Sequence, residues 1–207
     1  MARIDGVPAA RAGVLTRLIY SATRRMYGQL PEPAAIQAHH PGILVNNVIF
    51  ELGNRRVLRR LDPALRDLVT LRVATEIGCS WCVDFGTMLA TRAGLTADRL
   101  RHLHDYAGSP GYSELEQRAI AYADAMTAQP MTVTDEQVTA LRADLGDDGL
   151  VELTYLIALE NERSRFNHAL GITDQGFTSG DACPVPGSAV PGSAVPGSGE
   201  PGSASGG

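Results

Sequence analysis

The 207-residue chain is 44% hydrophobic and 20% charged, which fits one globular domain with a buried core and is too polar for a membrane protein. No apolar run approaches the roughly 20 residues needed to span a bilayer, and the N-terminus reaches Pro8 and Arg11 before any secretory h-region forms, so no membrane partner and a cytoplasmic location are expected. The net charge is −5, all 18 basic residues are Arg, and the one basic cluster, Arg55-Arg56 with Arg59-Arg60, is short, so nucleic acid is not an expected partner.

Residues 1–13 read as an N-terminal lead and residues 14–178 as one helical domain. Leu15 to Tyr27 and Pro41 to Leu52 read as helices, with His39 and His40 just before the second. Asp62 is an N-cap with Pro63 at the first helical position. The apolar run from Leu65 through Val69, Val73 and Ile77 then ends at Gly78. This helix is apolar on several sides, which predicts a central position or a subunit contact. The next runs from Cys79 to about Ala93, before Gly94. Thr96 is a candidate N-cap with Asp98 in the first turn, opening a short helix that carries His102 and His104.

Ser113 with Glu116 forms a capping box leading into Ala119, Tyr122, Ala123 and Met126. Thr134 with Gln137 opens another helix, closed by Gly146. Asp148 starts a long one through Leu153, Leu156, Ile157, Glu160 and Phe166, stopped by Gly171. On it, Glu160 to Arg163 and Glu162 to Arg165 are helix-spaced and read as surface ion pairs. The helix dipole alone accounts for His168 near the C-terminus. No period-2 strand pattern is present. The fold class is therefore all-α, about six to eight helices, expected to be oligomeric. From about Asp181 the chain becomes a Val-Pro-Gly-Ser-Ala repeat without aromatic residues; residues 179–207 read as a disordered tail, in which Cys183 is an incidental thiol.

The chemistry sits in Gly78-Cys79-Ser-Trp-Cys82. Cys79 starts a helix and Cys82 lies one turn inside, on the same face, so the sulfurs can meet in a disulfide. A helix N-terminus also stabilises a thiolate, the reactive form of cysteine. A structural zinc site needs four ligands, and there is no second CxxC or His pair at finger spacing. A thioredoxin-like CxxC needs a βαβ context that is absent here. Two inert core cysteines at helical spacing stay open beside redox use. Trp81, between the cysteines, reads as core or interface packing.

Leu61-Asp-Pro-Ala-Leu-Arg-Asp67-Leu-Val, Arg-Val-Ala, the Gly78-Cys-x-x-Cys82 motif, Gly94-Leu-Thr and the Ser-capped helix with Ala-Tyr-Ala-Asp together resemble the carboxymuconolactone decarboxylase superfamily, in its alkyl hydroperoxidase D-like branch. The resemblance covers roughly residues 15–172 and is strongest over 61–103. It implies a helical subunit in trimers or hexamers, a homo-oligomer that reduces hydroperoxides without a bound cofactor or metal. It further implies Cys82 as the peroxidatic cysteine, Cys79 as the resolving one, and re-reduction by a thiol such as dihydrolipoamide or a lipoyl-bearing protein. The family carboxylate falls on Asp67, and the family histidine, four residues after the second cysteine, falls on Gly86. A histidine there would lie one turn beyond the nucleophile and relay a proton. Glu76 and Asp84 are local substitutes, each weighed against being a plain solvated carboxylate. The decarboxylase or lactone chemistry of the founding family proceeds without a CxxC pair, so the pair argues against it. A non-catalytic helical oligomer whose cysteines sense oxidation or only pack is the other alternative.

Overall fold

The computed structural model describes residues 2–178, among which there are eight α-helices and no strand. The tail assigned to 179–207, with Cys183, lies outside the described residues. The helices are α1 (Val14–Tyr27), α2 (Glu32–Gln37), α3 (Pro41–Val57), α4 (Pro63–Ile77), α5 (Ser80–Arg92), α6 (Ala97–Arg101), α7 (Glu114–Thr127) and α8 (Asp135–Ala169). None of them is long and apolar enough to cross a membrane.

Caps written in the sequence set the ends of the central helices. Asp62 accepts from Ala64 N at the head of α4, and Gly78 closes that helix in the left-handed region at φ 79°. The Ser113–Glu116 and Thr134–Gln137 capping boxes both form. α4 lies at the centre, packed by α5, α7 and α8. Leu65, Leu68, Val69, Leu71 and Val73 on it are all buried, which is why its apolar residues do not keep to one stripe. Each such side chain contributes about 1.5–3 kcal/mol of burial.

A smaller core of Tyr20, Ala38 and Leu44 joins α1, α2 and α3. The N-terminal lead is fastened to the domain: Arg3 N donates to Leu170 O at 2.7 Å, and Val7 N to Ala35 O at 2.9 Å. Glu152 of α8 accepts from the backbone N–H groups of Arg59, Arg60 and Leu61 at 3.0, 2.8 and 3.2 Å, holding the α3–α4 link against α8.

Two elements differ from expectation. α2 forms although only six residues long, because Ile36 buries into the interior with Pro33 fixed in the first turn. His102 and His104 do not share a helix; α6 stops at Arg101 and a single 3₁₀ turn spans Leu103–Asp105. The two helices expected on either side of Gly146 do form, as the two arms of α8 that meet at a kink on that glycine, where φ is 71° and ψ 176°.

Candidate redox site

α4 and α5 form a helical hairpin about Gly78, and the turn sets Cys79 as the N-cap of α5. Its Sγ accepts from Cys82 N at 3.2 Å, so a sulfur does the work a serine oxygen does elsewhere. Cys79 and Cys82 are joined by a disulfide, with Cα atoms 5.3 Å apart. Both cysteine residues are buried, Cys79 wholly and Cys82 with 7% of its residue surface exposed. The helix N-terminus favours a thiolate on either sulfur.

Trp81 packs inward, stacked on Phe85 with centroids 4.8 Å apart, and its indole N–H donates to Gln175 Oε1 at 2.7 Å. Phe177 lies edge-on to Phe85.

Gly86 has a packing reason. A Cβ on it would fall 2.9 Å from Leu71 Cδ2, so α5 rests directly on α4 at this level. The same contact locates Asp67. Leu71 is beside Gly86; Asp67 is one turn further along α4 in one direction and Cys82 one turn along α5 in the other. At 1.5 Å per residue, about 12 Å of helix axis separates them. Burial raises the Asp67 carboxyl to about 6, with Arg66 opposing.

The other two carboxylates are engaged elsewhere. Glu76 pairs with Arg72 at 2.8 Å, and Arg72 also binds Asp124 of α7, which accepts from Tyr106 OH. Asp84, read as a solvated group unless it serves the cysteines, is buried; it accepts from the backbone N–H groups of Gln175, Phe177 and Thr178 and from Thr178 Oγ1, all within 3.0 Å. It is a clamp on the segment after α8.

The histidines also have structural partners. His39 contacts Asp5 O, His40 caps α3, His102 and His104 bond carbonyls one turn back, and His168 Nδ1 lies 3.1 Å from Gly78 O. A cleft of about 530 Å³ lined by Arg3, Asp5, Arg11 and His39 includes no residue of the cysteine turn.

The group that does reach the sulfur is one the sequence reading passed over. Asn167 Nδ2 donates to Cys82 Sγ at 3.3 Å. Behind it on α8, Ser164 Oγ donates to Glu160 Oε1 at 2.7 Å. The reading of Glu160 and Arg163 as a surface pair is corrected: Glu160 is only 4% exposed, and burial lifts its carboxyl to about 7 against the pull of Arg163. Arg163 pairs with Glu51 of α3 as well as Glu160. Arg165 instead donates to Asn161 and to Thr127 O. A signal was available: positions 153, 157, 160, 164 and 167 form one helical stripe, and its apolar start at Leu153 and Ile157 continues as Glu160, Ser164 and Asn167, all buried.

An all-helical bundle with a cysteine pair capping a helix packed on its central helix defines the class, an alkylhydroperoxidase D-like helical fold. The chain belongs to the carboxymuconolactone decarboxylase family, whose model matches residues 45–125. It is 37% identical over 164 residues to the uncharacterized protein YnjA of Escherichia coli, covering 79% of this chain and 87% of that one. It is 31% identical over 93 residues to an alkyl hydroperoxide reductase of Mycobacterium tuberculosis, covering 45% of this chain but only 27% of that protein. Among solved structures, the debrominase Bmp8 superposes with a TM-score of 0.72 at 18% identity, covering 84% of this chain and 92% of Bmp8. An uncharacterized peroxidase-related protein from Ralstonia eutropha, described as an alkylhydroperoxidase AhpD core, gives 0.70 at 16%, covering 85% and 94%.

Proposed function

We propose that the protein is a thiol-dependent hydroperoxide reductase in which the Cys79–Cys82 pair cycles between dithiol and disulfide. The observation that carries the reading is the pairing of a slightly exposed Cys82 with a wholly buried Cys79 within one helical turn, at disulfide distance and at a helix N-terminus. Cys82 attacks the hydroperoxide and becomes a sulfenic acid, the alcohol leaves, and Cys79 condenses with the sulfenic acid to release water and form the disulfide. A dithiol of the dihydrolipoamide kind, free or on a lipoyl-bearing protein, returns the pair to the reduced state. Asp67, at the family carboxylate position, sits too far along α4 to touch Cys82 without a bridging group. Its role in this reading is indirect.

Kinship with a named alkyl hydroperoxide reductase supports the chemistry. We also propose a homo-oligomer, trimer or hexamer, working in the reducing cytoplasm; exposed Val14, Leu15 and Leu18 on α1 and Ile49, Phe50 and Val57 on α3 offer apolar surface for it. Sedimentation of the reduced protein reads the mass directly.

The deciding experiment follows hydroperoxide consumption with a lipoyl or other dithiol reductant in wild type, Cys82→Ser and Cys79→Ser. Wild-type turnover is expected to vanish in both variants, with a single stoichiometric oxidation left in Cys79→Ser. Equal rates in wild type and Cys82→Ser would sink the reading. A bromopyrrole run alongside the peroxide tests the fold likeness to Bmp8: faster oxidation of the dithiol by the bromopyrrole would move the substrate class to halogenated aromatics.

A further inference from the structure

A thiolate attacking a hydroperoxide needs its own charge stabilised and a proton for the departing alkoxide. Gly86 provides neither, and Glu76 and Asp84 are held by other partners. The buried stripe on α8 has a group for each task. Asn167 donates to Cys82 Sγ itself. Ser164 links the next turn back to Glu160, a carboxyl walled off from solvent.

We propose that Asn167 is a further catalytic residue, stabilising the Cys82 thiolate, and that Glu160 is a positioning residue that stores the proton the leaving oxygen takes through the Ser164 hydroxyl. This rests on the thiol-peroxidase reading above. In the step, Cys82 S⁻ bonds to the outer oxygen of ROOH and the O–O bond breaks. The Ser164 hydroxyl, which donates to Glu160 in the disulfide state, accepts from the protonated carboxyl in the reduced state, so RO⁻ receives the Ser164 proton and Glu160 replaces it. The products are ROH, the Cys82 sulfenic acid and ionised Glu160. After Cys79 closes the disulfide with loss of water, a dithiol reduces it; one of its protons goes to Cys79 and the other to Glu160, so the cycle balances.

The carboxyl of Glu160 faces Arg163 on its own helix and, through that guanidinium, Glu51 of α3, while the far end of the stripe faces the Cys82 sulfur of α5. Burial outweighs Arg163 and keeps the proton on Glu160 up to about pH 7, so it is available near neutrality.

The test uses the full chain carrying Cys79→Ser and Cys183→Ser, which leaves Cys82 as the one thiol. Ultraviolet thiolate titration is expected to show Asn167→Ala raising the Cys82 pKa by about one unit, roughly a ten-fold loss of thiolate below that pKa. Asn167→Asp, nearly the same size, raises it further by placing a negative charge on the sulfur. An unchanged pKa in both overturns the role of Asn167. Because no peroxide is involved, this result is independent of whether wild type turns peroxide over. For Glu160, single-turnover oxidation by hydrogen peroxide is read against pH. Glu160→Gln and Ser164→Ala are expected to slow it several-fold and remove the inflection near pH 7, with Ser164→Thr restoring it. Profiles that match the parent in Glu160→Gln overturn the proton store.

Discussion

Restoring the family histidine by Gly86→His should damage this protein rather than improve it. A Cβ alone at position 86 comes within 2.9 Å of Leu71 Cδ2, against about 3.5–4.0 Å for carbon atoms in ordinary contact. One atom must therefore yield by roughly 0.6 Å in a core where Leu71 is fully packed, and the imidazole adds five more heavy atoms. Overpacking of this kind costs about 1–3 kcal/mol, and replacing a helical glycine returns only about 0.5 kcal/mol. The expected net loss is about 1.5 kcal/mol, a fall in Tm of roughly 3–6 °C for a chain of this size. Leu71→Ala in the same chain should relieve part of the loss, so the two substitutions should couple favourably by about 1 kcal/mol in a double-mutant cycle. Thermal and urea unfolding of the four proteins measures this, with dithiol-dependent peroxide consumption followed in parallel. A Gly86→His variant as stable as wild type and faster in turnover would refute the packing argument, since it would mean that the histidine has room after all.

Other substitutions test the groups set aside as structural. Asp84→Ala deprives three backbone N–H groups of their acceptor and should cost about 3 kcal/mol, with hydrogen exchange accelerating at residues 175, 177 and 178 while Ile157 stays protected. Unchanged exchange there would contradict the clamp. Glu152→Ala should similarly loosen residues 59–61 and lower the urea midpoint; an unaltered midpoint would count against that anchor. Asp67 has a folded-state pKa of about 6 against an ordinary 3.8, so the folded protein holds its proton more tightly than the unfolded chain. Its favourable contribution is full below about pH 4 and is lost as the pH rises to about 6. Asp67→Asn should flatten the stability profile across that window and leave the variant the more stable protein at pH 7. A decline as steep as that of wild type would dismiss the assignment.

What could be read beforehand was what the chain writes locally. Asp62, Ser113 and Thr134 each cap a helix through backbone groups two or three residues away, so four adjacent letters determine the contact. The cysteine pair was legible for the same reason, being three residues apart at a glycine-marked helix start. The contact of Asn167 was not, because the stripe it shares with Leu153 and Ile157 marks its face but not its partner, which is 85 residues distant. Glu160 was misjudged by spacing: an i,i+3 partner says nothing about which face of the helix is covered, and Glu160 lies on the buried one. α2 went unseen because six residues are too few to display a period, and its N-cap, Pro31, makes no side-chain hydrogen bond.

The disulfide itself encloses almost nothing. With the two cysteines three residues apart, the ring closes inside one turn of helix, and such a short loop removes little freedom from the unfolded chain. The closed bond leaves the Cys79 sulfur capping α5, and that helix is also held by its packing on α4. In the proposed cycle the scaffold would be a bystander: the bond is poorly suited to bracing a fold and its loss costs the fold little.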